Sequence, residues 1–132
     1  MKLHHSLATL MGTALFTLSA QAEVMGQAHT YSVDGMEFEG YVAHNSNLDE
    51  SRGTVLIIHD WDGVTDYEKR RAEMLATQGY TAFAIDVYGA GRNPTSMEEN
   101  QQRSGEMYSD REEFQKRLQG ALTEVANIPG AT

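Results

Sequence analysis

The 132-residue chain contains no cysteine. A disulfide framework is therefore excluded, and so is lipid attachment through a thiol. Proline occurs twice and tryptophan once, while the apolar fraction is 40%. That balance fits a globular chain, not a disordered one, and the length leaves room for one domain. Basic residues are scarce, ten Lys and Arg against nineteen Asp and Glu, for a formal charge of −9. Nucleic acid binding needs a basic footprint, so it is excluded as a function class, and the acidity reads as solubility. The longest uncharged, mostly apolar run, Ser6 to Leu18, falls short of the roughly twenty residues that cross a bilayer.

That run has another reading. Lys2, His4 and His5 give a mildly basic start, and Ala20-Gln21-Ala22 is a small-x-small cleavage site. Residues 1–22 read as a secretory signal, leaving residues 23–132 as the domain and a periplasmic or secreted location without membrane attachment. Cleavage removes Lys2 and no acid, so the mature charge becomes −10.

The remainder is organised around Thr54 to Gly63, TVLIIHDWDG. Its short apolar run predicts a parallel strand buried on both faces, ending in a loop dense in ionisable and aromatic groups. A second run, Thr81 to Val87, follows a helical segment and completes a strand–helix–strand unit. In such sheets ligands bind outside the strands' C-terminal ends. Upstream, Asp34-Gly35 between alternating segments 29–33 and 36–43 predicts a hairpin, with a flexible start over Glu23 to Ala28 and a polar loop over Asn45 to Gly53.

Thr65 and Glu68 have capping-box spacing for a helix whose packing face would carry Tyr67, Met74, Leu75 and Gln78, with Gly79 as its stop. Arg70 and Arg71 read as a solvated face. Ser96 with Glu99 predicts a short helix through about Arg103, and Ser109 with Glu112 a longer one. In the latter Phe114, Leu118, Ala121, Leu122 and Val125 form an amphipathic stripe, and Pro129 breaks the helix. Gly89-Ala90-Gly91 lacks the rest of a dinucleotide fingerprint, because Pro94 stands where the third glycine is needed. His59, Asp60 and Asp62 are too nearly contiguous to face one ion, so no metal site is expected. His59 is expected to shape the loop by a hydrogen bond, and Asp86 to anchor the turn after its strand.

His59-Asp60-Trp61-Asp62-Gly63, Arg70-Arg71 and Asp86-Val87-Tyr88-Gly89 together resemble the N-terminal half of the dienelactone hydrolase family, a branch of the α/β-hydrolases. The likeness runs from about Thr30 to Pro129. It implies the N-terminal part of an α/β-hydrolase fold, cut before the strand that carries the nucleophile. It also implies cleavage of a carboxylic ester or lactone without a cofactor. No G-x-S-x-G or G-x-C-x-G elbow occurs in the chain, so the resemblance puts the nucleophile, Ser or Cys, and its Asp and His partners beyond Thr132. Trp61 would supply a backbone oxyanion donor, Asp60 would stand where the family has a Glu touching the nucleophile, and Tyr88 would line the substrate pocket. The family's substrate-binding arginine is unmatched at Ala90; Arg92 is the nearest substitute. The competing expectation is a non-catalytic periplasmic α/β module that binds a small ligand or a protein partner. Substrate identity and oligomeric state are not legible.

Cleavage is expected immediately before Glu23. N-terminal sequencing of exported protein should begin at Glu23-Val24, and an intact Met1 or Lys2 would refute the signal.

Overall fold

Asp34 and Gly35 both take positive φ, 51° and 82°, the conformation a tight two-residue hairpin requires and one that Asp and Gly tolerate best. Around this turn the computed structural model, which describes residues 23–132, pairs β1 (Val24–Val33) antiparallel with β2 (Met36–Asn45), from Val33 opposite Met36 to Val24 opposite Asn45. The expected signal over residues 1–22 lies outside the described residues. Both strands are longer than expected. The segment Val24 to Ala28, read as a flexible start, pairs along its whole length with Tyr41 to Asn45.

Next come β3 (Thr54–Ile58), α1 (Asp66–Thr77), β4 (Thr81–Ile85), α2 (Met97–Ser109) and α3 (Arg111–Glu124), with a 3-10 turn over Val125–Asn127. The sheet order is β1-β2-β4-β3. The β2–β4 pairing is antiparallel and that of β4 with β3 parallel, from Thr54 opposite Thr81 to Ile58 opposite Ile85. The result is the mixed α/β arrangement of four strands and three helices that the sequence pointed to.

One expectation is corrected at its centre. The strand buried on both faces is β4, every residue of it, whereas β3 is half-buried and ends in an exposed Ile58. The reason is position, since β4 lies between β2 and β3 while β3 borders the described sheet.

The two faces of β4 are filled differently. Ala82 packs with Ala43 of β2 and with Ala72 and Ala76 of α1, and methyl side chains let this helix lie close to the sheet. On the opposite face Phe83 and Ile85 join Tyr31, Phe38, Val42, Met107 and Ala121, with Phe114 and Leu118 packed against them. Tyr31 stacks on Phe38 at 5.4 Å between ring centroids and meets Phe83 edge-on at 5.5 Å, geometries that add to the burial of their area. Gly40 is obligatory here, because a Cβ would lie 2.4 Å from the Ala84 carbonyl oxygen.

The Thr65–Glu68 capping box forms as expected, with the Glu68 carboxylate accepting from the Thr65 amide at 2.8 Å and its hydroxyl at 2.7 Å. Of the face expected to pack, however, only Leu75 lies against the sheet side, half-buried beside the alanines. Glu68, Ala72 and Ala76 turn inward, and Tyr67 and Met74 are exposed. Small residues won because the sheet approaches too closely for large ones. Likewise α2 runs to Ser109, well past Arg103, and Asp110 rather than Ser109 caps α3 by accepting from the Glu113 amide at 3.0 Å. The α3 stripe packs as expected except at Leu122, which is exposed.

Two sheet tyrosines carry an alkaline prediction. Tyr31 donates to the Asp86 carbonyl and Tyr41 to the Glu73 carboxylate, each at 2.7 Å. Desolvation above all raises both hydroxyls from 10, seconded by Asp86 for Tyr31 and by the Glu73 bond for Tyr41, which reaches about 12. A folded value above the unfolded one means stability that is complete below pH 10 and lost as pH climbs through the folded value. Denaturant midpoints across pH 8–13 should therefore fall from about pH 10 upward. Tyr41→Phe should remove the part of that fall lying between about pH 10 and 12.

Candidate active site

Parallel pairing brings Ile58 and Ile85 side by side, so the loops that follow β3 and β4 meet. The β3 loop turns sharply at Asp60 to Gly63, where the Gly63 amide donates to the Asp60 carbonyl at 3.3 Å. Gly63 has φ of 82°, and a Cβ there would sit 2.3 Å from the Asn93 side-chain oxygen. Only glycine meets both demands. Asn93 in turn donates to the Val64 carbonyl at 2.7 Å, tying the loop after β4 to the start of the α1 region.

The β4 loop is built on Asp86. Its carboxylate is buried and accepts from the amides of Tyr88 (2.8 Å), Gly89 (3.1 Å) and Glu39 (3.1 Å). This is the anchoring role expected of it, extended across to β2. The same loop is held from the other side by Arg117 of α3. This arginine is buried, donates to the Val87 carbonyl at 2.8 Å and forms an ion pair with Glu113 at 2.7 Å. Its partners are carbonyls that no regular element satisfies, so a donor from outside the strand is required.

The two loops are bonded together. His59 Nδ1 meets the Asp60 carbonyl at 2.5 Å, and Nε2 meets the Val87 amide at 3.2 Å. The Tyr88 hydroxyl donates to the Trp61 carbonyl at 3.0 Å, with its ring 4.7 Å from the His59 ring. Burial raises the Tyr88 hydroxyl, and the Asp62 charge raises it further. Its proton is therefore held firmly for donation. Among the described residues the Trp61 amide itself has no acceptor.

Between these loops and the α2–α3 junction lies a cavity of about 250 Å³. Ile58, His59, Asp60 and Trp61 form one wall and Val87 and Tyr88 the floor. Ser104, Met107 and Tyr108 of α2, with Arg111 and Phe114 of α3, close the far side. Of the site residues expected from the sequence, Asp60, Trp61 and Tyr88 thus converge, beside the loop-shaping His59. Arg92 does not join them; it turns to Glu106 of α2 at 3.3 Å and lies outside the cavity lining. Asp60 also borders a second groove of about 470 Å³ along Ile57, Ile58, Tyr67, Arg71 and Met74. The sequence reading missed the helical wall. Ser104, Met107 and Tyr108 recur at i, i+3 and i+4 on α2, a helix-face pattern that a helix expected to stop at Arg103 concealed.

Asp86→Asn retains the size of the side chain but sets an N–H group against amides that themselves donate. It should cost about 2–4 kcal/mol in urea unfolding, whereas Tyr88→Phe, losing a single neutral bond, should cost about 1 kcal/mol.

Comparison with known proteins bears on this geometry. The family model described as "Dienelactone hydrolase family" matches residues 38–132. Among solved structures, m3DLH superposes with a TM-score of 0.77 at 24% identity, covering 83% of this chain and 45% of its own. A dienelactone hydrolase-like promiscuous phosphotriesterase, P91, from metagenomic libraries gives 0.76 at 22%, covering 83% and 45%. The dienelactone hydrolase of Anabaena variabilis gives 0.56 at 18%, covering 80% and 46%. No curated protein sequence matches the chain. The chain thus spans less than half the length of these solved proteins, with which it shares a fold.

Proposed function

This chain belongs to the dienelactone hydrolase family, and we propose that it is the N-terminal part of an exported hydrolase that cleaves a carboxylic ester or lactone by nucleophilic acyl transfer. The nucleophile would lie beyond Thr132 and would approach from the open side of β3. Attack on the substrate carbonyl gives a tetrahedral oxyanion, which collapses to an acyl-enzyme that water then hydrolyses.

One observation carries the reading. The Trp61 amide, on a tight loop at the C-terminal end of β3 and beside the cavity, has no acceptor of its own among the described residues. A fixed, unengaged N–H beside a pocket is what a developing oxyanion requires, since donors placed in advance cost no reorganisation when charge appears. Asp60, exposed on the same loop, is positioned to tune the incoming nucleophile, and Trp61 and Tyr88 offer aromatic surface to the acyl or leaving group. By itself the 23–132 segment supplies one wall and no nucleophile.

The test uses the full-length protein and a chromogenic carboxylic ester. Turnover is expected from the full-length protein and none from residues 23–132. Trp61→Phe keeps the amide and alters only the wall, so it should raise KM and leave kcat within about threefold. Asp60→Asn should shift the pH profile of kcat/KM and lower the rate about 10²-fold. A full-length protein without ester turnover would refute the reading, and an Asp60→Asn enzyme with the wild-type profile would confine Asp60 to the loop's surface.

A further inference from the structure

His59 is buried, and beyond the loop-shaping hydrogen bond expected of it, both of its ring nitrogens are engaged by main-chain groups of opposite character. A carbonyl can only accept, so Nδ1 must carry a proton toward Asp60. An amide can only donate, so Nε2 must be bare toward Val87. The surroundings therefore dictate one species, the neutral imidazole protonated at Nδ1. A protonated ring would confront the Val87 amide with a second donor, and the other neutral tautomer would lose both bonds.

The carbonyl that His59 holds is half of a particular peptide unit. The Asp60 C=O and the Trp61 N–H share one plane, and in a trans peptide they point in opposite directions; no cis bond occurs among the described residues. By fixing the carbonyl with the shorter of its two bonds, 2.5 Å, the imidazole fixes the direction of the amide. The Gly63 amide, at 3.3 Å from the same oxygen, holds it more loosely. The next peptide is pinned in turn by the Tyr88 hydroxyl on the Trp61 carbonyl. Rotation of the Asp60–Trp61 plane thus requires breaking the bond to His59, and Val87 keeps the ring from turning to follow.

The geometry points to His59 as the positioning residue for the oxyanion donor: a tautomer-locked imidazole that aims the Trp61 amide through the Asp60 carbonyl while both of its own nitrogens are engaged by the main chain. This rests on the acyl-transfer reading and adds to it a dependence on a residue outside the reacting set. It also explains why an ionisable group is buried beside the pocket without a carboxylate partner. An alcohol or amide side chain could donate to Asp60, but the rigid ring sets donor and acceptor at a fixed separation, donating to one strand's loop while accepting from the other's.

Two substitutions separate aiming from packing. His59→Asn places its amide nitrogen where Nδ1 stands and keeps donation to Asp60 without the bond to Val87. His59→Phe keeps a ring against Tyr88 and loses both bonds. In the full-length protein His59→Phe should lower kcat about 10- to 100-fold with KM changed less than about threefold, because a misdirected donor forfeits part of the roughly 10²- to 10³-fold that a missing one costs. His59→Asn should recover most of that loss. Nitrogen-15 spectra of the histidine ring should show Nδ1 protonated and Nε2 bare, and the Trp61 amide resonance should move in His59→Phe and return in His59→Asn. Wild-type kcat in a folded His59→Phe protein would overturn the proposal, as would a ring protonated at Nε2. If His59→Phe does not fold, the ring spectrum and the kcat of His59→Asn decide. A wild-type protein without ester turnover instead sinks the acyl-transfer reading, and the spectra then decide alone whether His59 holds this peptide.

Discussion

A buried carboxylate must be matched by donors, and the way Asp86 is matched governs this structure. Its oxygens draw in the amides of Tyr88 and Gly89 from its own loop and that of Glu39 from β2, while its carbonyl receives the Tyr31 hydroxyl from β1. Losing one such partner leaves a desolvated charge short of donors, which costs far more than an ordinary exposed contact. The loop after β4 therefore has one conformation. From it Val87 reaches His59 and Tyr88 reaches the Trp61 carbonyl. The loop after β3 takes its shape from the loop after β4, and the order of dependence runs from Asp86 outward.

The asymmetry of the sheet decides where a pocket can exist. On one side alanines of β2, β4 and α1 meet with nothing between them, and the groove of that side is displaced to the β3 border, along Ile57, Ile58, Tyr67, Arg71 and Met74. On the other, aromatic rings and Met107 hold α2 and α3 farther from the sheet, and the cavity opens where those helices pass the strand ends. Arg117 crosses that gap to cap the Val87 carbonyl, so the helices that wall the pocket also stiffen its floor. Pocket and core are two consequences of the same large side chains.

Much of the local structure was legible because it is set by nearest neighbours. Asp34-Gly35 gave a hairpin since few other pairs accept two positive φ angles, and Thr65 with Glu68 gave a helix start since the two side chains satisfy each other's amides. The family resemblance rested on loop motifs, and the loops hold Asp60, Trp61 and Tyr88 on one cavity. Arg92 was placed by its distance along the chain from Tyr88, and Glu106, fourteen residues away, claimed it. The buried face of α1 was misread for a related reason. Hydrophobic size favours Tyr67 and Met74, but the distance between helix and sheet is fixed by Ala43 and Ala82, which no local pattern exposes.

The sequence by itself determined the α/β class, the Asp34-Gly35 turn, the Thr65–Glu68 cap, the strand–helix–strand unit and the loop that borders the cavity. Each of these depends on contacts a few residues apart or on a motif in one stretch. Only the tertiary structure decided that β4 rather than β3 is the fully buried strand, that α2 and α3 supply the far wall of the pocket, that Arg117 holds the loop after β4, and that the loop-shaping His59 takes Val87 as a partner. Those outcomes depend on which groups meet across the sheet, as His59 meets Val87 from 28 residues away and Arg117 reaches it from 30. A hydrogen bond at that separation leaves no periodic trace in the chain, because its partners are chosen by the packing of elements rather than by the spacing of residues.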